Sequence, residues 1–379
     1  MVPETISVLD TPCLLLEKAR VENNIRQMTT HIASLGASLR PHVKTNKSLD
    51  CTRMIFGGEA GPITVSTLKE AEYFFEGGFK DILYAVGIVP AKLPRVKKLM
   101  DAGADIKIIL DSQQAADAVA AYGAEHEAEF RVFIEIDCDM HRAGLRPGDA
   151  RVVTIAEFLA KTPGVQFAGI MTHAGESYAC KSTDEIRVHA NLERDGLLQA
   201  RAAIESAGID VPVASVGSTP TARFAENFDG IEEVRAGVFV FCDLFQRGLG
   251  VCNTEDIALS VLTSVIGHRA DQNRLFIDAG ALALSKDRGT SSQASDCLYG
   301  LVCDAGGNPI EGMIVEGVNQ EHGIVTATSG ALDFDRFPIG SLLRILPNHA
   351  CMTEAAHSGY YVLDKSEEVE AFWERCHGW

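Results

Sequence analysis

The chain has 379 residues, of which 46% are hydrophobic and 23% are charged, a composition typical of a folded globular protein with a sizeable core. Its 34 basic and 52 acidic residues give a formal net charge of −18, which disfavours nucleic acid and anionic membranes as partners. Neither a signal peptide in the first eleven residues nor an apolar run of about 18 residues is recognisable. The sequence therefore predicts a cytoplasmic protein that binds any anionic ligand at a local site.

Short β-rich segments alternate with helical segments from about residue 15 to about residue 255. The eight predicted strands cover residues 38–43, 63–66, 81–86, 105–110, 130–137, 167–172, 212–216 and 233–241. Thr67 and Glu70 form the pattern of a capping box that opens a helix at Leu68. Eight strand–helix repeats predict an α/β fold with a (β/α)8 TIM-type barrel. A doubly wound open sheet is the alternative, but it usually has fewer strands and a glycine-rich turn after the first.

The pattern of predicted elements changes after about residue 255. Runs at 258–266, 274–278, 324–327 and 342–346 resemble strands and are separated by turns, with little helical pattern. The stretch 6–17 is also strand-like and could pair with them. The sequence thus predicts a barrel domain at 16–255 and a mostly-β second domain formed by 1–15 and 256–379.

Lys44 directly follows the first predicted barrel strand, in the segment Arg40-Pro41-His42-Val43-Lys44. Barrel active sites lie at the C-terminal ends of the strands, so Lys44 is expected at the barrel mouth. An amine in that position can form a Schiff base with a carbonyl compound. The alternative is an ordinary solvated lysine of the loop.

A glycine- and hydroxyl-rich segment, Gly217-Ser218-Thr219, follows the seventh predicted strand, and Gly237 lies in the segment 235–238 that ends the eighth. Phosphate sites in barrels commonly lie after strands seven and eight, at the start of a short helix. Glycine lets the backbone approach a ligand, and the hydroxyl groups add donors. This pattern indicates a phosphate site, with an ordinary turn as the alternative.

His349 and Cys351 stand two positions apart in the β-like run 346–352. Residues at that spacing on a strand face the same side, and an imidazole and a thiolate suit zinc. Two ligands are too few for a closed structural site, so a metal here would be open to substrate. The alternative is a chance pair within a strand.

Three further candidates share the predicted barrel face. Arg142, with His141 before it, follows the fifth strand and could meet a cofactor oxygen. His173 ends the sixth strand, and Tyr178 follows in its loop. A lone histidine or arginine is more often a structural residue, so only their shared location makes them candidates.

Together these residues resemble the fold-type III pyridoxal 5′-phosphate enzymes, whose barrel and β domain are shared with bacterial alanine racemases. The similarity is strongest to the group that contains D-serine dehydratases, D-threo-3-hydroxyaspartate dehydratases and D-threonine aldolases, and it covers nearly the whole chain. The matching segments are 11–13, 40–44, 217–220, 235–237, 320–323, 349–351 and the C-terminal pair Gly378-Trp379.

The resemblance implies that Lys44 holds pyridoxal phosphate as a Schiff base and that members form homodimers. It implies phosphate contacts from Gly217, Ser218, Thr219 and Gly237. It also implies an approach of Arg142 to the ring, with Tyr178 as a further cofactor-binding candidate. His349 and Cys351 are the implied ligands of a divalent metal, which is zinc in the dehydratases.

Two departures from related patterns narrow the expected reaction. Alanine racemases have Tyr-Gly shortly after the lysine, whereas this chain has Thr45, Asn46, Lys47 and Ser48, which argues against racemisation. The aldolases have aspartate where Cys351 stands. The resemblance therefore favours a dehydratase that converts D-3-hydroxy amino acids, such as D-serine or D-threo-3-hydroxyaspartate, to a 2-oxo acid and ammonia.

Two alternatives remain open at this point. An aldolase of the D-threonine aldolase type would cleave Cα–Cβ to glycine and an aldehyde, with His173 as a candidate catalytic base. A non-catalytic carrier of pyridoxal phosphate is the other alternative. Such carriers generally lack the second domain that this sequence predicts.

Overall fold

The computed structural model describes residues 3–140, 142–365 and 367–379, which form two compact units. The barrel unit consists of the described residues within Gln27–Lys47, Thr52–Gly237 and Gly378–Trp379. The β unit consists of those within Met1–Arg26, Ser48–Cys51 and Val238–His377. The domain limits expected from the sequence stay a prediction.

The elements follow one another in chain order as β1 (Cys13–Glu17), α1 (Lys18–Ser34), β2 (Ser38–Leu39), α2 (Leu49–Ile55), β3 (Ile63–Val65), α3 (Leu68–Glu76), β4 (Asp81–Gly87), α4 (Leu93–Asp101), β5 (Asp105–Leu110), α5 (Gln113–Glu125), β6 (Phe130–Ile136), α6 (Ala150–Lys161), β7 (Val165–Thr172), α7 (Thr183–Ser206), β8 (Ala214–Val216), α8 (Thr219–Phe224), β9 (Glu233–Val234), α9 (Leu244–Gly248), β10 (Leu259–Arg269), β11 (Arg274–Ile277), α10 (Ala281–Leu284), β12 (Leu301–Cys303), β13 (Pro309–Val318), β14 (Gly323–Ala327), β15 (Leu342–Leu346), α11 (Ala350–Thr353), β16 (Gly359–Lys365) and β17 (Glu368–Glu374).

The barrel unit contains eight parallel strands in the order β2-β9-β8-β7-β6-β5-β4-β3. The two ends of this sheet meet, because Val43 N–H donates to the Thr64 carbonyl and Thr64 N–H donates to the Pro41 carbonyl, both at 2.9 Å. The predicted α/β barrel is thereby confirmed, and the open doubly wound sheet is excluded.

Most residues of the longer barrel strands β4 to β7 are buried, as expected for parallel strands that are covered by helices on the outside. A cluster of Leu83, Ile109, Phe133, Ala168 and Met171, contributed by β4 to β7, forms part of the core. Such continuous apolar runs are the reason why the strands could be recognised in the sequence.

The start of α3 shows how local sequence sets an element boundary. The side chain of Thr67 accepts a hydrogen bond from Glu70 N–H at 3.0 Å, which satisfies a free donor of the first turn. The Glu70 carboxylate accepts from Ser66 N–H at 2.8 Å, one residue earlier than in the predicted capping box. The helix nevertheless begins at Leu68 as predicted.

The eighth predicted strand, 233–241, is wrong in its length. Strand β9 ends at Val234, and Val238–Val240 forms a 3-10 helix. Gly237, between these two elements, packs closely against the backbone of His42, where a methyl group would lie 2.7 Å from the His42 carbonyl oxygen.

The β unit is built on a nine-stranded, mostly antiparallel sheet in the order β11-β14-β13-β12-β15-β10-β1-β16-β17. The N-terminal strand β1 pairs antiparallel with β10 and parallel with β16. The predicted mostly-β second domain is confirmed. Its N-terminal stretch 6–17 forms a strand only at Cys13–Glu17, and Ile6–Val8 is a 3-10 helix. Within the described residues, no helix combines the length and the apolar character needed to cross a membrane.

Candidate active site

Lys44 follows β2 at the C-terminal end of the barrel strands, and its side chain is exposed. Its backbone N–H donates to His42 Nδ1 at 3.4 Å, and His42 Nε2 lies 3.3 Å from Ser66 Oγ. Burial, followed by the charges of Lys44 and Arg235, lowers the pKa of His42 well below its usual value. His42 is therefore a neutral neighbour whose Nδ1 acts as an acceptor. The exposure of Lys44 is compatible with both alternatives stated for it.

The segment after β8 forms the capped start of α8. Ser218 Oγ accepts from Thr221 N–H at 3.1 Å, while Ser218 N–H donates to Thr221 Oγ1 at 3.3 Å, a reciprocal capping box for α8. Thr219 Oγ1 is buried, and the described residues offer it no hydrogen-bond partner. A buried hydroxyl without a partner is unfavourable by about 1–3 kcal/mol, so this donor suits an anionic ligand.

Glycine at positions 217 and 237 is required by close packing of the loops. A methyl group at Gly217, whose φ is +151°, would lie 2.5 Å from the backbone nitrogen of Arg235. At Gly237 it would lie 2.7 Å from the carbonyl oxygen of His42. These approaches bring the segments after β8, β9 and β2 together. Lys44, Gly217 and Gly237 thus share one end of the barrel, as predicted from their strand positions.

Arg235 ties three strand ends together from within the barrel. Its guanidinium is buried, and it donates to Ser215 Oγ at 2.6 Å and to the Thr172 carbonyl at 2.5 Å. Burial lowers the pKa of Arg235 to about 10. The group remains charged at neutral pH and contributes positive potential to this end of the barrel.

Glu193 is a site residue that sequence reasoning missed. Its fully buried carboxylate accepts from Ala174 N–H at 3.0 Å, from Gly217 N–H at 2.9 Å and from Thr221 Oγ1 at 2.7 Å. Burial raises the pKa of Glu193, whereas these three donors favour its charged form. The carboxylate therefore connects the segment after β7 with the segment after β8.

A signal for Glu193 was present in the sequence. The buried stripe of α7 runs through Ile186, Ala190, Glu193 and Leu197, so the carboxylate stands at an apolar position of the helix. An acidic residue at such a position needs buried donors, which is a reason to look for them.

His173 lies at the end of β7 and contacts the same loop. Its Nδ1 donates to the Gly217 carbonyl at 2.5 Å. Burial lowers the pKa of His173 to about 3. The hydrogen bond to the Gly217 backbone opposes this shift, whereas the charges of Arg142 and Lys44 add to it. The imidazole is therefore neutral at ordinary pH. Because the proton is on Nδ1, Nε2 is left as a proton acceptor.

Tyr178 and Arg142 extend this group of residues. The Tyr178 ring, in the 3-10 helix Gly175–Ala179, lies 6.1 Å from the His173 ring between centroids. Arg142 is exposed, and its Nη2 lies 3.8 Å from the buried carboxylate of Glu135. Burial raises the pKa of Glu135, and Arg142 opposes that shift. His141 lies outside the described residues.

The segment with His349 and Cys351 belongs to the β unit and is not a strand. His349 precedes the short helix α11, and Ala350 N–H donates to the buried carboxylate of Asp243 at 3.0 Å. This bond, with the donation of Thr353 N–H to the His349 carbonyl at 3.0 Å, favours a helical turn over an extended run. The predicted strand 346–352 is therefore wrong beyond Leu346, where β15 ends. The two side chains still meet, because His349 and Cys351 are hydrogen-bonded to each other.

Asp287 completes this second group and was also missed by sequence reasoning. His349 Nδ1 donates to Asp287 Oδ2 at 2.7 Å. Burial lowers the pKa of His349, but the hydrogen bonds to Asp287 and Cys351 outweigh it and raise the pKa. The bond to His349 lowers the pKa of Asp287. No short-range pattern could indicate this contact, because 62 positions separate the two residues.

An imidazole and a thiol side by side are suitable ligands for zinc. In the part of the chain that the structure describes, no group of three or more histidine, cysteine, aspartate or glutamate side chains is arranged to hold a metal. A metal on His349 and Cys351 would therefore keep coordination positions for other ligands.

The chain is similar to known proteins over its whole length. The family model of the alanine racemase N-terminal domain matches residues 16–244, and that of a putative serine dehydratase domain matches residues 258–363. The chain is 46% identical over 379 residues to D-threo-3-hydroxyaspartate dehydratase of Delftia sp. (strain HT23), which covers 99% of this chain and 100% of that protein. The chain belongs to the fold-type III family of pyridoxal-phosphate enzymes.

Other members of the fold-type III family are also similar. D-Serine dehydratase of Dictyostelium discoideum is 32% identical over 385 residues, covering 97% of this chain and 96% of that protein. A 3-hydroxy-D-aspartate aldolase of Paracoccus denitrificans is 29% identical, and the match covers 97% of this chain and 92% of that protein. These dehydratases and aldolases are lyases, and this fold-type III enzyme is accordingly a lyase.

The solved structure of the Delftia dehydratase superposes with a TM-score of 0.96 over 100% of both chains. Further structures of D-threo-3-hydroxyaspartate dehydratase include a cysteine-to-alanine mutant in the metal-free form and a histidine-to-alanine mutant. The two mutated residues of that dehydratase lie two positions apart in its chain.

Proposed function

We propose that this lyase is a pyridoxal-phosphate- and metal-dependent dehydratase of D-3-hydroxy amino acids. D-Serine would give pyruvate and ammonia, and D-threo-3-hydroxyaspartate would give oxaloacetate and ammonia. The observation that carries the proposal is the contact between His349 and Cys351, in a chain 46% identical to a dehydratase over its whole length.

The residues at the barrel end fit pyridoxal phosphate. Lys44 would hold it covalently through its amine, and the buried hydroxyl of Thr219, beside Ser218, would meet the phosphate. Gly217 and Gly237 provide close backbone approach, although Gly217 N–H already donates to Glu193 and is not free for phosphate. When bound, the cofactor supplies a ring system that delocalises negative charge from Cα.

Two polar side chains complete the proposed cofactor site. Arg142 is exposed beside Glu135 and would approach the ring. Tyr178, near His173, is the further candidate for a contact with the cofactor.

His349 and Cys351 fit a divalent metal, for which zinc is the expected choice. The metal would supply Lewis-acid chemistry for the departure of the β-hydroxyl. The two mutated residues of the related dehydratase have the same spacing as His349 and Cys351, and one of its mutants is named as metal-free.

Within this proposal the substrate amine displaces Lys44 from the cofactor, and the freed amine of Lys44 removes the Cα proton of the substrate. Loss of the β-hydroxyl then leaves an enamine, which reacts with water to give the 2-oxo acid and ammonia. His173 stays neutral, with Nε2 as an acceptor, and can orient a polar group of the substrate.

Aldol cleavage is the second candidate, because the neutral imidazole of His173 could take the proton of the β-hydroxyl. The carrier alternative is set aside, since the relatives are lyases. A homodimer and a cytoplasmic location stay predictions of the family resemblance and the sequence.

Product analysis tests the proposal directly. The purified enzyme, with pyridoxal phosphate and zinc, is offered D-serine, D-threo-3-hydroxyaspartate and D-threonine, with the L-forms as controls. We expect ammonia and a 2-oxo acid in equal amounts from D-substrates, abolished by EDTA and restored by zinc. Glycine and an aldehyde as the products would overturn the dehydratase in favour of the aldolase. Turnover that is indifferent to EDTA would overturn the metal requirement.

A further inference from the structure

We propose that Asp287 is the positioning residue for the metal ligand His349. Its carboxylate fixes the rotation and the tautomer of the imidazole, and thereby sets how tightly the site holds a divalent metal. This inference rests on the metal-dependent function proposed above.

The contact defines which nitrogen can bind a metal. A carboxylate only accepts hydrogen bonds, so the 2.7 Å contact places the proton of the neutral ring on Nδ1 of His349. The lone pair of Nε2 is then available to a metal. Metal-binding histidines commonly donate their other ring nitrogen to a carboxylate, which orients the ring and raises its basicity.

The backbone around His349 is held by other residues. Asp243 Oδ2 accepts from Ala350 N–H at 3.0 Å, and Thr353 Oγ1 donates to the Leu284 carbonyl at 3.0 Å. The position of the main chain is therefore set independently of Asp287. The carboxylate of Asp287 acts on the remaining freedom, which is the rotation of the imidazole.

The Asp287 carboxylate is itself oriented. Gly289 N–H donates to this carboxylate, and the Asp287 backbone N–H donates to Ser285 Oγ at 2.9 Å. The next residue, Arg288, forms its ion pair with Asp296 and so does not compete for Asp287. The carboxylate is half-buried, which limits screening of its interaction with the ring.

Ring orientation matters here because few protein ligands are present. Among the described side chains, no group of three or more histidine, cysteine, aspartate or glutamate residues is arranged to hold a metal ion. With two protein ligands, a freely rotating imidazole would lose a large share of the site's preorganisation. Loss of such a supporting carboxylate typically weakens metal affinity by about 10–100-fold.

The test compares Asp287→Ala and Asp287→Asn with wild type in the enzyme loaded with pyridoxal phosphate. Zinc affinity is measured by competition with a chelator, and cobalt(II) is added separately to follow the thiolate-to-metal absorbance band. Asp271→Asn, an exposed position of the β unit, is the control for the change in charge.

We expect Asp287→Ala to weaken zinc binding by about 10–100-fold. The zinc affinity of Asp287→Asn should lie between those of Asp287→Ala and wild type, because the asparagine amide oxygen can still accept from Nδ1. The zinc affinity of Asp271→Asn should match that of wild type. The zinc concentration for half-maximal activity should rise in parallel, while kcat at saturating zinc recovers most of its value. The cobalt(II) band should need more metal to develop in Asp287→Ala.

Wild-type zinc affinity in Asp287→Ala would overturn the inference and leave the proposed function intact. A variant that also loses its bound cofactor and melts at a lower temperature would overturn it too, since Asp287 would then be a structural residue. Failure of the wild-type enzyme to bind zinc or cobalt(II) would instead overturn the metal-dependent function itself.

Discussion

Gly217 donates its backbone N–H to the carboxylate of Glu193 at 2.9 Å, and this bond joins a buried acid to the proposed phosphate loop. His173 holds the carbonyl of the same glycine. Gly217 is thus fixed at both its N–H and its carbonyl. The geometry of the loop depends on side chains that come from β7 and α7.

Replacing Glu193 with alanine should destabilise the enzyme. It would leave the N–H groups of Ala174 and Gly217 and the hydroxyl of Thr221 without their acceptor, at a combined cost of at least about 3 kcal/mol. Glu193→Gln keeps Oε1, which accepts both backbone bonds, and should lose less. Urea denaturation measures the free energy of unfolding of both variants. Equal stability of Glu193→Ala and wild type would contradict the role of this carboxylate.

Replacing Lys44 with alanine should abolish covalent attachment of pyridoxal phosphate and lower kcat by at least about 10²-fold, because the proposed base is lost. Borohydride reduction followed by peptide mass analysis should locate the cofactor on Lys44 in wild type. Lys80→Ala is the matched control, since Lys80 is exposed and precedes β4 at the opposite end of the barrel. A cofactor that is reduced onto another lysine would disprove the assignment.

Thr219→Val should have opposite effects with and without the cofactor. Without it, the valine removes a buried hydroxyl that the described residues leave unpaired, so stability should stay equal or rise. With the cofactor, the loss of a hydrogen bond to a charged phosphate should reduce affinity by about 1.5–3 kcal/mol, or roughly 10–100-fold. Thermal melting and cofactor titration check the two parts. Unchanged cofactor affinity would exclude Thr219 from the phosphate site.

His173 should make the cofactor-free protein sensitive to acid. Its folded-state pKa of about 3 lies below the ordinary 6.5, so between these values the unfolded chain binds a proton that the folded chain does not. Stability from this group is complete above pH 6.5 and falls as the pH falls. At pH 5 the loss relative to pH 7 should be about 2 kcal/mol.

Comparison of wild type with His173→Asn isolates this effect, because the asparagine amide can still donate to Gly217. Denaturation at pH 7 and pH 5, without phosphate in the buffer, should show a smaller pH dependence in the variant. The same pH dependence in both proteins would mean that His173 is not the group responsible.

The sequence was sufficient for most of the fold because parallel strands are buried on both faces and form mainly apolar runs. Strand β5 lies at the predicted residues, and the positions of Lys44 and Gly217 follow from the rule that sites lie at strand ends. The strand predicted for His349 was wrong. The run 346–352 looks β-like in the sequence, but the strand ends at Leu346. A contact with Asp243, 107 positions away, favours a helical turn instead.

Residues whose role comes from long-range contacts were harder to predict. Glu193 was visible in principle as an acid in an apolar helix stripe, but its donors are 19 to 28 positions away. The sequence contains no such signal for Asp287, because an aspartate in a loop is ordinarily a surface residue. Local patterns can locate an element, whereas they do not show which side chains meet there.

The barrel closes at the strand that leads to Lys44, and this has a consequence for its mechanics. Between β2 and β3 the wall is joined by two backbone bonds of Thr64, whereas β6 and β7 pair along seven residues. The seam is thus less extensively paired than the β6–β7 part of the wall and should open more readily in local fluctuations. A cofactor attached to Lys44, with its phosphate bound by the segments after β8 and β9, would stabilise the strand beside that seam. Loss of the cofactor and loosening of the barrel would then be a single event, visible as faster amide exchange at Val43 and Thr64.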